Sequence, residues 1–204
     1  MAKLVFIKVG VFMLALVPAL YLSVAAALDG LGSNPAEALI RSTGDWTLRF
    51  LCIALAVTPL RLITAYPQWA RFRRMLGLFC FFYAALHATS YAFLDMGFAM
   101  ADIWVDIGKR PFILVGFVAF LVLTLLAATS WSGAQRLLGG RRWQLLHRSV
   151  YLVAILAVAH FLWMRAGKNN FADVWWYAAI LGGLLGFRGY RYIRNTYLVR
   201  MEIG

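Results

Sequence analysis

His87, His147 and His160 are the only imidazoles in this chain, and all three fall inside or beside long apolar runs. An ionisable side chain in such a run is a functional hypothesis by default, because an unpaired polar group is costly in hydrocarbon. His87 lies just before Asp95 and His160 just before Arg165, so at about 1.5 Å per residue each sits roughly 8 to 12 Å inside the same boundary. His147 is about 20 Å further along its run toward the opposite boundary, near the level of Arg71, Arg73 and Arg74. Two neutral imidazoles facing one another across a bundle offer two nitrogen donors on one axis, which is what a low-spin b-type haem needs. The competing reading satisfies each ring with a backbone carbonyl or hydroxyl of a neighbouring helix. Zinc fits less well, because no third and fourth ligand lies near His87 and His160 in sequence. A proton path would lack buried carboxylates.

The elements that must hold these rings follow from composition. Of 204 residues 63% are apolar and 14% charged, against roughly 25% charged in an ordinary soluble domain. Together with a mean hydropathy of +0.76, this excludes a soluble globule. The runs do not alternate as barrel strands would, so the backbone must satisfy itself as helices in lipid. Six spans are expected: Val9 to Leu28, Trp46 to Thr64, Met75 to Leu94, Phe112 to Thr129, Ser149 to Met164 and Val174 to Phe187. The fifth and sixth are short unless they extend into Arg141 to His147 and Arg188 to Ile193. On an ideal helix His147 and His160 would be turned roughly 220° apart, so a π-bulge, a bend or a loosened turn is expected between them.

Charge orients the bundle. Lys3 and Lys8, Arg61 with Arg71, Arg73 and Arg74, Arg136 with Arg141, Arg142 and Arg148, and the tail Arg188, Arg191, Arg194 and Arg200 alternate with loops that hold all the acids except Glu202. Arg41, Arg49, Lys109, Arg110, Arg165 and Lys168 share those acidic loops with Asp29, Glu37, Asp45, Asp95, Asp102, Asp106 and Asp173. By the positive-inside rule both termini are cytoplasmic. The net charge of +12 therefore reports topology and contact with anionic lipid rather than nucleic-acid binding. A secretory signal ending near Ala25 to Ala27 is the alternative for the first run. Its apolar length exceeds the usual signal core, so it is read as a helix.

Cys52 and Cys80 lie within spans and read as small buried packing residues. Asn34-Pro35 reads as the N-cap and first residue of a short amphipathic helix ending near Gly44. Ser132 and Gly139-Gly140 bracket another short helix. Gly182, Gly183 and Gly186 read as close-packing positions. Most of Phe79, Phe81, Phe82, Tyr83, Tyr91, Tyr151, Phe161 and Trp163 read as lipid-facing or interfacial.

In order and spacing, several motifs resemble the MsrQ (YedZ) family, the haem-binding membrane subunits of bacterial methionine sulfoxide reductase systems. They are NPxE at Asn34 to Glu37, RSTGDW at Arg41 to Trp46, TPLR at Thr58 to Arg61 and RRMLGLFCFFYAALH at Arg73 to His87. KRPFILVG follows at Lys109 to Gly116, then Thr129-Ser130, RRWQLLHRSVY at Arg141 to Tyr151 and AHFLW at Ala159 to Trp163. The family belongs to the ferric reductase-like transmembrane superfamily, whose larger members resemble NADPH oxidases and hold two stacked haems with two histidines on each of two helices. The fifth span keeps both histidines, whereas the third keeps only His87 and has Arg73 at the place of the other. A guanidinium stays protonated and is a poor iron ligand. Arg73 over the iron, Arg73 on a propionate, and a flavin contact by His147 are the alternatives there.

The resemblance implies one haem-binding domain over residues 1–204, multi-pass in the bacterial inner membrane. It implies haem b between His87 and His160, and a second cofactor site at His147 and Arg73, for another haem or FMN. Electrons would pass from a cytoplasmic flavin reductase or membrane quinol to a periplasmic MsrP-like molybdopterin enzyme that repairs methionine sulfoxide in proteins. No dinucleotide-binding domain follows the sixth span, so the reductant is expected from a partner, and no residue is expected to break a substrate bond. A small proton-conducting or transport bundle and a stand-alone ferric reductase are the rival readings.

Overall fold

The computed structural model describes residues 2–166 and 171–203, with side chains described from Lys3 to Thr196 among them. Lys168 lies outside the described residues, as do the side chains of Arg200 and Glu202. The described backbone is helical, with no strand among the described residues: α1 (Ala2–Ala27), α2 (Pro35–Ile63), α3 (Arg73–Ser90), α4 (Met100–Lys109), α5 (Pro111–Ala128), α6 (Ser132–Leu138), α7 (Gly140–His147), α8 (Val150–Ala166) and α9 (Ala172–Ile203). A short 3₁₀ turn, Pro67–Arg71, leads into α3, and a π-turn, Tyr91–Asp95, continues it. Five segments are long and apolar enough to cross a membrane: Lys3–Ala27, Pro35–Ile63, Arg73–Asp95, Pro111–Ala128 and Gly140–Ala166. The expected sixth span lies in α9, where Asp173, two tryptophans, the glycines and Arg188 dilute the hydropathy.

One boundary corrects the sequence reading. Asn34 does cap α2, its Oδ1 accepting from Glu37 N–H at 3.1 Å with Pro35 at the first helical position. The helix does not stop near Gly44, however. It runs unbroken to Ile63, which carries Arg41, Asp45 and Arg49 into the bundle rather than leaving them in a loop. One glycine inside a long apolar pattern costs only about 1 kcal/mol, and the packing of α2 on α3 outweighs that. The expected irregularity in the fifth span is present: α7 ends at His147, Arg148 and Ser149 form a turn, and α8 starts at Val150. Gly139, at φ +72° and ψ 152°, separates α6 from α7 in a conformation open essentially to glycine alone.

Both intrahelical prolines are met by a polar side chain from another helix. Pro59 has no N–H, so the Leu55 carbonyl one turn earlier loses its helical donor. Arg188 of α9 fills the gap, its Nη2 donating to Leu55 O at 2.5 Å and its Nη1 to Leu184 O at 2.7 Å. Beside Pro18 the α1 ladder opens. The fully buried Tyr83 hydroxyl enters it, donating to Ala15 O at 2.7 Å and accepting from Ala19 N–H at 3.1 Å.

This predicts coupling between Pro59 and Arg188. Arg188→Leu should orphan the Leu55 carbonyl at a cost of about 1–3 kcal/mol and lower the thermal midpoint in detergent. Pro59→Ala restores a helical donor, so the double variant should lose less than the two single losses added together. Strict additivity would mean that Arg188 serves some other purpose.

The buried core joins α2 and α3 through Phe50, Leu51, Leu55, Phe79, Cys80 and Tyr83, with Leu123, Val153, Ala154 and Leu181 from the other long helices. Phe50 stacks on both Tyr83 (5.2 Å, 10°) and Phe79 (5.5 Å, 25°). Phe79, Tyr83 and Phe161 are thus core residues rather than lipid-facing ones, while Trp163 is exposed. Cys52 and Cys80 are buried free thiols, as expected.

Candidate functional site

The rings of His87 on α3 and His160 on α8 are brought together, with centroids 6.1 Å apart and planes at 73°. Each ring is held in the same way. His87 Nδ1 lies 2.8 Å from the Ile40 carbonyl of α2, and His160 Nδ1 lies 2.7 Å from the Phe112 carbonyl of α5. A carbonyl oxygen can only accept, so Nδ1 carries the proton in both rings and Nε2 keeps its lone pair. A second hydrogen bond of this kind fixes the tautomer of metal-ligating histidines.

What exposes those carbonyls is a pair of glycines. In an α-helix each side chain leans toward the N-terminus, so the residue at i+4 covers the carbonyl of residue i. Four residues after Ile40 stands Gly44, and four after Phe112 stands Gly116. A Cβ at Gly44 would lie 3.2 Å from His87 Cε1 and 3.3 Å from Nδ1. One at Gly116 would lie 2.7 Å from His160 Nδ1 and 2.8 Å from Cε1. Sequence reasoning missed both roles, although both glycines lie in the quoted RSTGDW and KRPFILVG motifs. It chose Gly182, Gly183 and Gly186 instead, and there a Cβ would meet nothing within 4 Å. All three are exposed among the described residues.

His147 is in a different state. Its Nε2 lies 3.2 Å from Thr129 Oγ1, whose own proton is engaged by the Leu125 carbonyl at 2.7 Å, so Nε2 is the donor. The Trp143 ring stacks on the imidazole at 3.9 Å and 27°, and its Nε1 donates to Thr129 O at 2.8 Å. Arg73, exposed at the start of α3, is close enough for its charge to act on His147. The third histidine is thus apart from the other two, beside the Thr129-Ser130 corner and Arg73.

At the His87–His160 end of the bundle, besides the Arg41–Glu37 pair at 2.6 Å, the charged side chains form two groups. Arg165 Nη2 meets Asp173 Oδ2 at 3.2 Å, and Arg49 lies over the Trp46 ring at 4.4 Å. In the second group Asp106 accepts from Tyr91 Oη at 2.5 Å, from Arg110 Nε at 2.5 Å and from Arg110 Nη2. Burial pulls the Asp106 carboxyl upward, but these donors and the neighbouring positive charge outweigh it, holding the group below the usual carboxylate range. The pair ties the π-turn after His87 to α4. No group of three or more His, Cys, Asp or Glu side chains among the described residues forms a metal cluster. What remains is a two-nitrogen site with a free lone pair on each ring.

Comparison with known proteins covers most of the chain. Residues 43–158 match the model of the family described as ferric reductase like transmembrane component. A protein of Polaromonas naphthalenivorans (strain CJ2), named protein-methionine-sulfoxide reductase heme-binding subunit MsrQ, is 64% identical over 87% of this chain and 81% of its own length. Proteins of the same name from Ralstonia nicotianae and Rhodospirillum rubrum are 51% and 44% identical, each over 89% of this chain and 84% and 86% of their own lengths. No solved structure matches the chain significantly. With its matched segment reaching from Thr43 on α2 to Val158 on α8, the chain belongs to the MsrQ family of ferric reductase-like transmembrane proteins.

Proposed function

We propose that this protein carries electrons across the bacterial inner membrane through haem b ligated by His87 Nε2 and His160 Nε2. The observation that carries the reading is the ring separation of 6.1 Å, with both Nδ1 atoms committed to carbonyls. Two metal–imidazole bonds of about 2 Å along one axis place the ring centres roughly 6 Å apart. Haem, when bound, supplies a one-electron iron couple. The protein binds, orients and tunes it: the Ile40 and Phe112 carbonyls fix both tautomers and make the ligating nitrogens more basic, and the surrounding apolar helices exclude water. No side chain need break a bond in a substrate.

The remaining parts of the reading are supported by charge, length and kinship. The chain acts as one domain with six spans and both termini in the cytoplasm. In support, α9 with 32 residues is about 48 Å long, which exceeds the roughly 30 Å hydrocarbon core. It also packs through Val174, Tyr177 and Leu181 on the other long helices. His147 and Arg73 form a second cofactor site on the cytoplasmic side, for another haem or FMN. There His147 Nε2 must leave Thr129 before it can bind a metal. The relatives are named as subunits of a methionine sulfoxide reductase, which favours a periplasmic MsrP-like molybdoenzyme as acceptor. A cytoplasmic flavin reductase or membrane quinol is the donor.

Purified protein should be red, and its visible spectrum should sharpen on dithionite reduction. Haem, iron and flavin per chain, measured on wild type and His147→Ala, separate the two sites. The variant should keep the spectrum of the His87–His160 haem while losing either about half of the haem or the flavin. A colourless wild-type protein overturns the proposal.

A further inference from the structure

We propose that Arg165, assisted by Arg49, forms a carboxylate clamp for the propionates of the porphyrin held by His87 and His160. This rests on the ligation proposed above. Arg165 follows His160 on α8 by about 8 Å along the axis, toward the end of the bundle where propionates meet water. Its side chain is 12% exposed, and Nη2 is satisfied by Asp173 at 3.2 Å. Nε is buried and, among the described residues, meets no acceptor. A buried guanidinium N–H without an acceptor is costly, whereas an anionic oxygen there would turn the cost into a charge-assisted bond. The body of the side chain is held in place: its guanidinium lies over the Phe161 ring at 5.2 Å, and Phe161 is locked against Leu48 and Val174.

The charges around the site are balanced and leave the buried Arg165 Nε without an acceptor among the described residues. Arg41, Arg49, Arg165 and Asp173 all act on Asp45, which is next to the glycine that receives His87. With Arg41 paired to Glu37 at 2.6 Å, three guanidiniums face three carboxylates, so what would draw an anion is the unmet Arg165 Nε and the exposed Arg49 rather than a surplus of charge. A planar fork on a stiff stem suits a carboxylate better than a lysine would. Arg49, exposed and laid over Trp46 at 4.4 Å, can reach the second carboxylate from α2.

The test compares Arg165→Gln and Arg49→Gln with wild type in the full-length purified protein. It reads haem retention against a soluble haem scavenger, the reduction midpoint and the position of the low-spin absorbance bands. Arg165→Gln should lose haem about tenfold faster or more. Its midpoint should fall, because a positive charge that favours the reduced iron is gone, while the low-spin bands stay in place because both axial imidazoles remain. Wild type should prefer haem over haem dimethyl ester, and Arg165→Gln should lose that preference. Arg49→Gln should move retention and midpoint in the same directions by less, and it reports on the clamp if Arg165→Gln fails to accumulate. Unchanged retention, midpoint and ester preference in both variants, in a protein whose spectrum still depends on His87 and His160, overturns the clamp alone. A wild-type spectrum indifferent to both histidines overturns the ligation and the clamp with it.

Discussion

His87→Ala and His160→Ala are each expected to abolish the low-spin haem spectrum, with haem per chain falling by about tenfold or more after detergent purification. Either substitution would leave a single imidazole to hold the haem, and the other could not compensate because its Nδ1 is tied to a carbonyl of its own neighbouring helix. The fold should survive. The Ile40 and Phe112 carbonyls retain their helical donors at Gly44 and Gly116, so the lost hydrogen bond costs about 0.5–1.5 kcal/mol and no group is orphaned. External imidazole should enter the space left by the ring and restore part of the low-spin signal, which simple misfolding would not allow. His147→Ala gives the contrast, because its ring is outside the pair and bonded through the other nitrogen. A low-spin spectrum that persists unaltered in His87→Ala and His160→Ala would mean the ligands are elsewhere.

How far this was legible in the sequence depended on the kind of signal. The histidines were visible because imidazoles are rare in hydrocarbon, and helical rise alone placed His87 and His160 at one level. The break between His147 and His160 was visible as an angle that an ideal helix could not satisfy, and Arg148-Ser149 is where the chain resolves it. Gly44 was misread because glycine after an amphipathic stretch is the usual sign of a helix end. Its actual use, uncovering the carbonyl four residues earlier for a ring on another helix, is a relation between helices and leaves no local trace. For the same reason the sequence did not show that the glycines of α9 meet nothing within 4 Å among the described residues, and the Pro59–Arg188 link could not be foreseen. Spacing reports level and face within a helix; it does not report which helix lies opposite.

Gly116→Ala should therefore be among the most damaging single-methyl changes in the protein. The added carbon would lie 2.7 Å from His160 Nδ1 and 2.8 Å from Cε1, separations that real Cβ contacts essentially never show, and 3.2 Å from Cγ. The ring must retreat, and in doing so it stretches or breaks the bond to Phe112 O and turns Nε2 away from its partner. Loss of an outer-shell partner typically costs about 10–100-fold in metal affinity, and haem retention should fall within that range. Gly44→Ala is milder: with closest approaches of 3.2 and 3.3 Å to the His87 ring, a shift of a few tenths of an ångström accommodates it, so a few-fold loss and a displaced absorbance band are expected. Gly186→Ala is the control, since nothing lies within 4 Å of its added carbon. Alanine is a better helix former than glycine by about 1 kcal/mol, so thermal stability should hold or rise at Gly186, and helix propensity alone would predict the same at Gly116. If haem retention and thermal midpoint respond alike at Gly116 and Gly186, the glycine serves helix flexibility, and the Phe112 carbonyl that Gly116 uncovers is not what positions His160.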